Sequence, residues 1–387
     1  MHTSSSSSVN FRHNHLVELL CLYEKQTKPL DFVVSDYFRS HKALGSKDRA
    51  YIAETIYALI RWKGLYDYLL QEQNYISWEK RIELLHQKNP DSFLDDESIP
   101  LHIRLSFPEV LFSEIVASFG PEVAKSICFA CNSPAPTCIR VNIQKISREA
   151  LLAKFKEQKF DVSLSKESSL GIIFHKKINF FGLQEFRDGL FEIQDEASQL
   201  VASMAKPAKT NRVLDFCAGA GGKTLAFAEA LGGTGQIYLH DIRQGALLEA
   251  KKRLKRAGIQ NAQIIHESEK VKLKALKKKM NVVFVDVPCS GTGTLRRNPD
   301  MKWKFSLEML NRLASEQRVI FEQALSYLHP EGRIIYATCS ILKKENQDQV
   351  EHFLKTYPLQ VEGEIFQSTP KKGEKDGFFA VCFKKIQ

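Results

Sequence analysis

The chain has 387 residues, enough for two or three domains that each bury a core. Its 43% hydrophobic and 26% charged content excludes a disordered or fibrous chain, and a net charge of +10 favours a polyanionic partner. No uncharged apolar run approaches the roughly 18 residues of a membrane-spanning helix, so no membrane association is expected. The first ten residues, with Ser4 to Ser8 in a row, lack the basic and apolar regions of a signal peptide; a disordered tail over 1–10 and a cytoplasmic location are expected. The eight cysteines, at 21, 128, 131, 138, 217, 289, 339 and 382, are scattered and without an export signal should be reduced. Cys128-Phe-Ala-Cys131 is half of a zinc site with no second pair, and no metal is expected.

Apolar residues three and four apart (Leu16, Leu19, Leu20, Tyr23; Val33, Val34, Tyr37, Phe38; Ile52, Ile56, Leu59, Ile60) predict an all-α domain over 11–132. In Leu44-Gly-Ser-Lys-Asp-Arg49, Ser46 or Asp48 is placed to cap a helix, and His41, Lys42, Lys47, Arg49, Arg61 and Lys63 offer either a basic face for RNA or a solvated bundle surface. Ser133-Pro-Ala-Pro136 marks a boundary. A small α+β segment follows over 133–193, with strands at Cys138–Asn142, Gly171–His175 and Leu190–Ile193 and a helix capped by Ser147. From Gln194 to the end at 387, strands and helices alternate as in a parallel sheet wrapped by helices.

The stretch Arg212-Val-Leu-Asp-Phe-Cys-Ala-Gly-Ala-Gly-Gly-Lys-Thr224 reads as strand, glycine-rich turn and helix. A phosphate-binding loop would need glycine at Cys217, and a dinucleotide fingerprint would need glycine or alanine at Thr224. The looser glycine turn of S-adenosylmethionine-dependent methyltransferases fits instead, with Asp241, at the end of the next strand, placed to accept both hydroxyls of a cofactor ribose.

Ligands in such sheets sit beyond the carboxyl ends of the strands. Two more strands end in Asp286-Val-Pro-Cys289 and Ala337-Thr-Cys339-Ser340. Carbon 5 of a pyrimidine takes a methyl group only after a nucleophile adds to carbon 6, and a cysteine thiolate can make that addition and later leave.

These motifs resemble the RNA cytosine-5 methyltransferases, in particular the bacterial branch that acts on small-subunit ribosomal RNA and carries an N-terminal NusB-like domain. The resemblance also rests on Leu44–Arg49, Ser106-Phe-Pro-Glu109, Gln194-Asp-Glu-Ala-Ser198, Arg296-Arg-Asn-Pro-Asp-Met-Lys-Trp303 and Asp376-Gly-Phe-Phe379. It implies an α/β fold: a class I (Rossmann-like) methyltransferase domain, an all-α NusB-like domain and a small RNA-recognition-like domain between them. It further implies Cys339 as nucleophile and Cys289 as the residue that releases the product. Asp286 would lie between cofactor and base, and Cys217, Ala218, Gly219, Ala220, Gly221, Gly222 and Lys223, with Asp241, would hold S-adenosylmethionine. Many members have Ala-Pro-Gly-Gly-Lys in the turn where this chain has Ala218-Gly-Ala-Gly-Gly-Lys223, and no residue of His266-Glu-Ser-Glu269 is assigned to the adenine.

The expected partner is RNA, ribosomal before transfer RNA, and the expected state a monomer. Two alternatives stay open: a transfer-RNA cytosine-5 methyltransferase, and a non-catalytic RNA-binding factor of ribosome assembly. Lys251–Arg256 and Lys270–Lys279 are either phosphate contacts or exposed helix faces.

Overall fold

The computed structural model describes residues 4–71 and 75–386, with side chains from Phe11 onward. It divides into two compact units, one of Met1–Pro134 with Thr294–Leu307, the other of Ala135–Gly293 with Glu308–Gln387. The first unit is helical: α1 (Ser4–Glu24), α2 (Leu30–Ser40), α3 (Ser46–Leu69), α4 (Trp78–Gln87), α5 (Leu101–Arg104), α6 (Glu109–Phe119) and α7 (Pro121–Cys131). Its core is the periodic set read from the sequence, including Leu16, Leu19, Leu20, Val33, Ile52, Ile56, Leu59 and Ile60. The tail expected over 1–10 is instead helical from Ser4, because α1 extends outward from a turn already anchored by these leucines. Residues 1–3 lie outside the described residues. Asp48 accepts the backbone N–H of Gly45 at 3.2 Å ahead of α3, so Asp48 rather than Ser46 serves the helix start. Cys128 and Cys131 are buried in α7 and pack as small apolar groups.

Three of the basic residues around Leu44 are engaged within the helical unit, while Lys42 and Lys47 are exposed. Arg61 is buried and donates to the carbonyl of Arg296 at 2.8 Å, Lys63 pairs with Asp67 at 2.5 Å, and Arg49 donates to the carbonyl of Leu44 at 2.9 Å.

The segment 294–307, which lies between two strands of the second unit in sequence, belongs to the helical unit. Lys302 is buried there, its ammonium donating to Arg61 O at 2.6 Å and Asn132 Oδ1 at 3.0 Å, while Trp303 Nε1 donates to Ile60 O at 2.7 Å. Asp300 accepts the backbone N–H of Leu30 at 3.1 Å, at the start of α2. The run Arg296–Trp303 therefore clamps helices.

The second unit holds two sheets. The smaller is antiparallel, order β2-β3-β1-β4, from β1 (Thr137–Val141), β2 (Val162–Leu164), β3 (Gly171–Phe174) and β4 (Phe191–Ile193), with helices α8 (Arg148–Glu157) and α9 (Gln184–Arg187). Ser147 caps α8 through the N–H of Ala150 at 3.2 Å. The larger sheet has eight strands: β5 (Arg212–Asp215), β6 (Gln236–Asp241), β7 (Ala262–His266), β8 (Met280–Asp286), β9 (Leu328–Thr338), β10 (Leu359–Val361), β11 (Phe366–Gln367) and β12 (Phe379–Lys385). Their order is β10-β12-β9-β8-β5-β6-β7, with β11 beside β12; the pairs from β7 to β9 are parallel, whereas β12 runs antiparallel to both neighbours. Helices α10 (Glu196–Ser203), α11 (Gly222–Leu231) and α12 (Gln244–Ala257) bury their apolar sides in one core; α13 (Lys270–Lys274), α14 (Leu307–Leu325) and α15 (Gln347–Thr356) contribute to the other. Both faces are covered, so β8 reads Val282-Val-Phe-Val285 without alternation. The order reverses between β5 and β8, which opens a crevice beyond their carboxyl ends.

Burial pushes the Lys302 pKa down to about 7, well below that of an unfolded lysine. Between these values the unfolded chain binds the extra proton, so this group makes the helical unit more stable as pH rises, by at most about 1.4 kcal/mol per pH unit. Lys302→Met should flatten that slope. In urea melts at about pH 7 and about pH 9, the wild-type midpoint should rise relative to the variant; parallel midpoints would show that Lys302 stays charged in the fold.

Candidate active site

The crevice is built on the glycine turn. After β5 the chain turns through Gly219 at φ +53° and Gly221 at φ +74°, a region that strains residues with a Cβ, and α11 then starts at Gly222. A Cβ on Gly221 would also press on the Cβ of Ala250 at 3.2 Å. The Cys217 side chain packs against the core containing Leu214, Phe216 and Val285, and burial holds its thiol well above the usual range. Cys217 thus offers a ligand its backbone, not its sulfur.

Asp241 ends β6 and is buried. Its carboxylate accepts Gly219 N–H at 2.8 Å, Arg243 N–H at 2.8 Å and the Arg243 guanidinium at 3.0 Å from both Nε and Nη2. Burial would push its pKa up, but Arg243 and these backbone donors outweigh it and hold it below the ordinary value. A charged carboxylate at this strand end fits the diol of a cofactor ribose. Arg243 holds that place in its own right, and its side chain is exposed enough to swing away.

Behind the turn lies a polar framework that the sequence motifs do not announce. Thr224, the residue that breaks the dinucleotide fingerprint, is fully buried and donates to Asp215 Oδ2 at 2.6 Å. The other oxygen of Asp215 finds no partner among the described residues, and burial raises this carboxyl to about 7. Arg140, from β1 of the small sheet, is almost wholly buried; it donates to Gln194 Oε1, to Gly222 O at 3.1 Å and to Glu229 Oε1 at 3.2 Å. Gln194 Nε2 reaches Ser198 Oγ at 3.1 Å. Arg253 of α12 donates to Ala220 O at 2.9 Å and to Glu192 of β4 at 3.1 Å. Two arginines therefore tie the small sheet to the backbone of the glycine turn. Their only sequence signal is a charged residue inside an apolar strand and another on the inward face of a basic helix.

The β8–β9 register sets Asp286 beside Ala337. Three residues on from Asp286 and two on from Ala337, Cys289 and Cys339 meet with their sulfurs 3.3 Å apart, both half-buried and both free thiols. The hydrogen bond to Cys339 and burial push the Cys289 thiol well above its ordinary pKa. Lys223 pairs with Asp286 at 2.5 Å and lies 5.3 Å from the ring of Phe378. Burial works against the Lys223 ammonium, but Asp286 and, more weakly, Cys339 raise its pKa overall. The sequence-predicted residues Lys223, Asp286, Cys289 and Cys339 are thus one constellation, beside the Gly219–Asp241 pair.

The loops carrying the two thiols are locked from below. Glu345 accepts the N–H of Ser290 at 2.8 Å and its hydroxyl at 2.5 Å, and also the Gln317 amide at 3.0 Å. Thr338 donates to Asn346 Oδ1 at 2.7 Å, and Asn346 Nδ2 returns to Ser340 O at 2.9 Å. Gly293 N–H donates to Cys339 O at 2.9 Å and Gly377 N–H to Gly293 O at 2.9 Å, so three chain segments close on the Cys339 loop. In Gln194–Ser198, Asp195 caps α10 through the N–H of Ala197 at 2.9 Å and takes the N–H of Asp376 at 3.3 Å.

Of the basic clusters, Lys251–Arg256 is split, since Arg253 and Arg256 turn inward to Glu192. Lys270 to Lys279 is mostly a solvated face over Leu273 and Leu276. Lys277, Lys278 and Lys279 precede β8 and so sit at the opposite end of that strand from the cysteines. Beyond β7, Glu267 faces His240 Nε2 at 3.4 Å, and Glu269 accepts the N–H of His266 at 3.0 Å.

A mostly parallel sheet in this order, with a glycine turn after its central strand and an acidic residue ending the next, is a class I methyltransferase fold, here with two thiols on its rim. The model described as 16S rRNA methyltransferase RsmB/F matches residues 202–384, and the RsmF/B-like ferredoxin-like domain matches 107–180. A ribosomal RNA small subunit methyltransferase B from Pseudomonas putida is 30% identical over 295 residues, covering 73% of this chain and 67% of the relative. One from Proteus mirabilis is 28% identical over 341 residues, covering 87% and 77%. A small subunit methyltransferase F from Klebsiella pneumoniae is 29% identical over 289 residues, covering 71% and 60%. The chain belongs to the RsmB/F methyltransferase family. In fold it is similar to the crystal structure of PH0851, with a TM-score of 0.81 at 21% identity over 96% of this chain and 98% of that one. A methyltransferase homologue from Pyrococcus horikoshii gives 0.64 at 24% identity over 76% and 99%.

A Cβ on Gly293 would lie 2.0 Å from Gly377 O and 2.8 Å from Cys339 O, both backbone atoms. Gly293→Ala should cost about 2 kcal/mol or more and lower the melting temperature by several degrees. Gly245→Ala, in open space within α12, should leave it unchanged or raise it. Equal melting temperatures for the two variants would show that the Gly293–Gly377 contact is not a constraint.

Proposed function

We propose that this chain is an S-adenosylmethionine-dependent methyltransferase that forms 5-methylcytosine in small-subunit ribosomal RNA through a covalent bond between Cys339 and carbon 6 of the base. The observation that carries the reading is the 3.3 Å approach of two free thiols beyond the ends of adjacent parallel strands, beside the glycine turn. Family membership and the small-subunit relatives support the substrate.

Gly219, Gly221 and Gly222, with Asp241, are assigned to the cofactor: the glycines admit it close to the backbone, and the carboxylate takes its ribose hydroxyls once Arg243 withdraws. When bound, S-adenosylmethionine supplies an electrophilic sulfonium methyl group for carbon 5. The chain's task is to make carbon 5 a nucleophile. The Cys339 thiolate adds to carbon 6, forming an S–C bond and moving the ring's electron pair to carbon 5. Asp286, oriented by Lys223 at 2.5 Å, is assigned to the amino edge of the cytosine, where a carboxylate accepts from the exocyclic amine. After methylation a solvent water takes the proton from carbon 5, the C–H electron pair restores the ring double bond, and the S–C bond breaks with its pair returning to the Cys339 thiolate. Cys289, 3.3 Å from the departing sulfur, is assigned to this release. A base inside a helix cannot present carbon 6 to a thiolate, so the target is single-stranded or flipped out.

Small-subunit ribosomal RNA incubated with the protein and S-adenosylmethionine should gain a bisulfite-resistant cytosine. Cys339→Ala should lower the rate by a factor of about a thousand or more while leaving cofactor affinity unchanged. Resistance on transfer RNA alone would move the substrate. Undiminished methylation by Cys339→Ala would remove Cys339 from the chemistry.

A further inference from the structure

The helical unit carries a cluster that takes no part in this chemistry. His15 and Glu18, one turn apart on α1, converge with His41, the residue after α2; one donor atom from each lies within 4.8 Å of the others. Glu18 spans the two rings, with Oε2 3.8 Å from His15 Nδ1 and Oε1 3.9 Å from His41 Nε2.

Both rings are held in place. His41 Nδ1 lies 2.9 Å from the carbonyl oxygen of Tyr37, which can only accept, so Nδ1 carries the proton and Nε2 turns its lone pair towards Glu18. Such a bond from the remote ring nitrogen is how proteins orient a metal-binding imidazole. The His41 ring stacks on Tyr37 at 3.9 Å, and Phe11 stands edge-on to His15 at 4.6 Å. The Tyr37 hydroxyl is 2.7 Å from both Glu18 Oε2 and His15 Nδ1, supporting the carboxylate from outside the donor set.

We propose that His15, Glu18 and His41 bind a divalent transition-metal cation of the zinc class, joining α1 to the end of α2. Two imidazoles and one carboxylate form a three-ligand zinc set that leaves one position for water. At zinc–ligand distances of about 2.0–2.2 Å, donors in a tetrahedron stand about 3.3 Å apart, so the Glu18–His contacts close by roughly half an ångström. Glu18 is mostly exposed and its carboxylate rotates freely enough to make that change. His15 Nδ1 exchanges the Tyr37 hydroxyl for the metal, while Tyr37 keeps Glu18. His15 and His41 stand 26 positions apart in no metal-binding motif, so the sequence carries no sign of the site, and the proposal departs from the absence of metal expected from it.

The test uses cobalt(II), whose spectrum separates this site from the eight thiols of the chain. Full-length protein freed of metal with chelator and titrated with cobalt(II) should show visible d–d absorption saturating at one ion per chain, without sulfur-to-cobalt charge transfer, and zinc(II) should abolish it. Glu18→Gln, an isosteric change at an exposed position, should weaken cobalt binding at least about tenfold, because metal ligands dominate such affinities. His41→Gln should do the same, while Tyr37→Phe should keep the band. Circular dichroism of each variant shows that the fold persists; if His41→Gln unfolds, Glu18→Gln decides alone. No absorption in the wild type, a thiolate charge-transfer band, or an unchanged band in Glu18→Gln would overturn the proposal.

Discussion

The pairing of β8 with β9 is the constraint on which the site depends. Parallel neighbours in register present their carboxyl ends on one rim, and Asp286 opposite Ala337 puts the two cysteine loops side by side. Nothing local to either loop would do this. A slip of one residue would turn every β8 side chain to the other face and separate the thiols. The strand cores resist it, since Val282, Val283, Phe284 and Val285 are all buried, packing alternately on the two sides of the sheet. Beneath the thiols, Glu345, Gln317 and Asn346 meet the loop's polar groups, so the loops that carry Cys289 and Cys339 keep little freedom.

The small antiparallel sheet acts on the same site from behind. Its Arg140 and Glu192 reach the glycine turn, directly through Gly222 O and indirectly through Arg253 and Ala220 O. Arg140 and Glu229 are both buried, and each leaves one polar atom without a partner among the described residues. Burial raises Glu229 to about 7 despite the arginine beside it. Such a pair contributes little net stability, and its value here is geometric: Arg140 holds the Gly222 carbonyl at the start of α11.

Much of this was legible in the sequence because the relevant signals are local. Three glycines within four positions, Asp241 closing a strand, and cysteines placed just after apolar runs locate a crevice and two thiols on its rim without a structure. Long-range polar contacts are not legible in that way. Arg140 reads as an oddity in an apolar strand, and Thr224 reads as a failed ligand contact until its bond to Asp215 is seen. Arg296–Trp303 lies between methyltransferase strands in sequence, yet Lys302 and Trp303 serve the helical unit through backbone carbonyls that no motif encodes. The two readings of the cations around Leu44 stay unseparated in the sequence for the opposite reason: charge composition does not reveal which cations are already engaged by carboxylates and carbonyls.

The central claim is that Cys339 forms the bond to RNA and Cys289 frees it. Cys289→Ala protein incubated with S-adenosylmethionine and small-subunit ribosomal RNA should therefore accumulate a protein–RNA adduct that survives a denaturing gel, and adding Cys339→Ala should abolish it. An adduct that persists in the double variant would contradict the assignment of the nucleophile. No adduct with either ribosomal or transfer RNA, in protein shown to bind cofactor, would contradict covalent catalysis by this site.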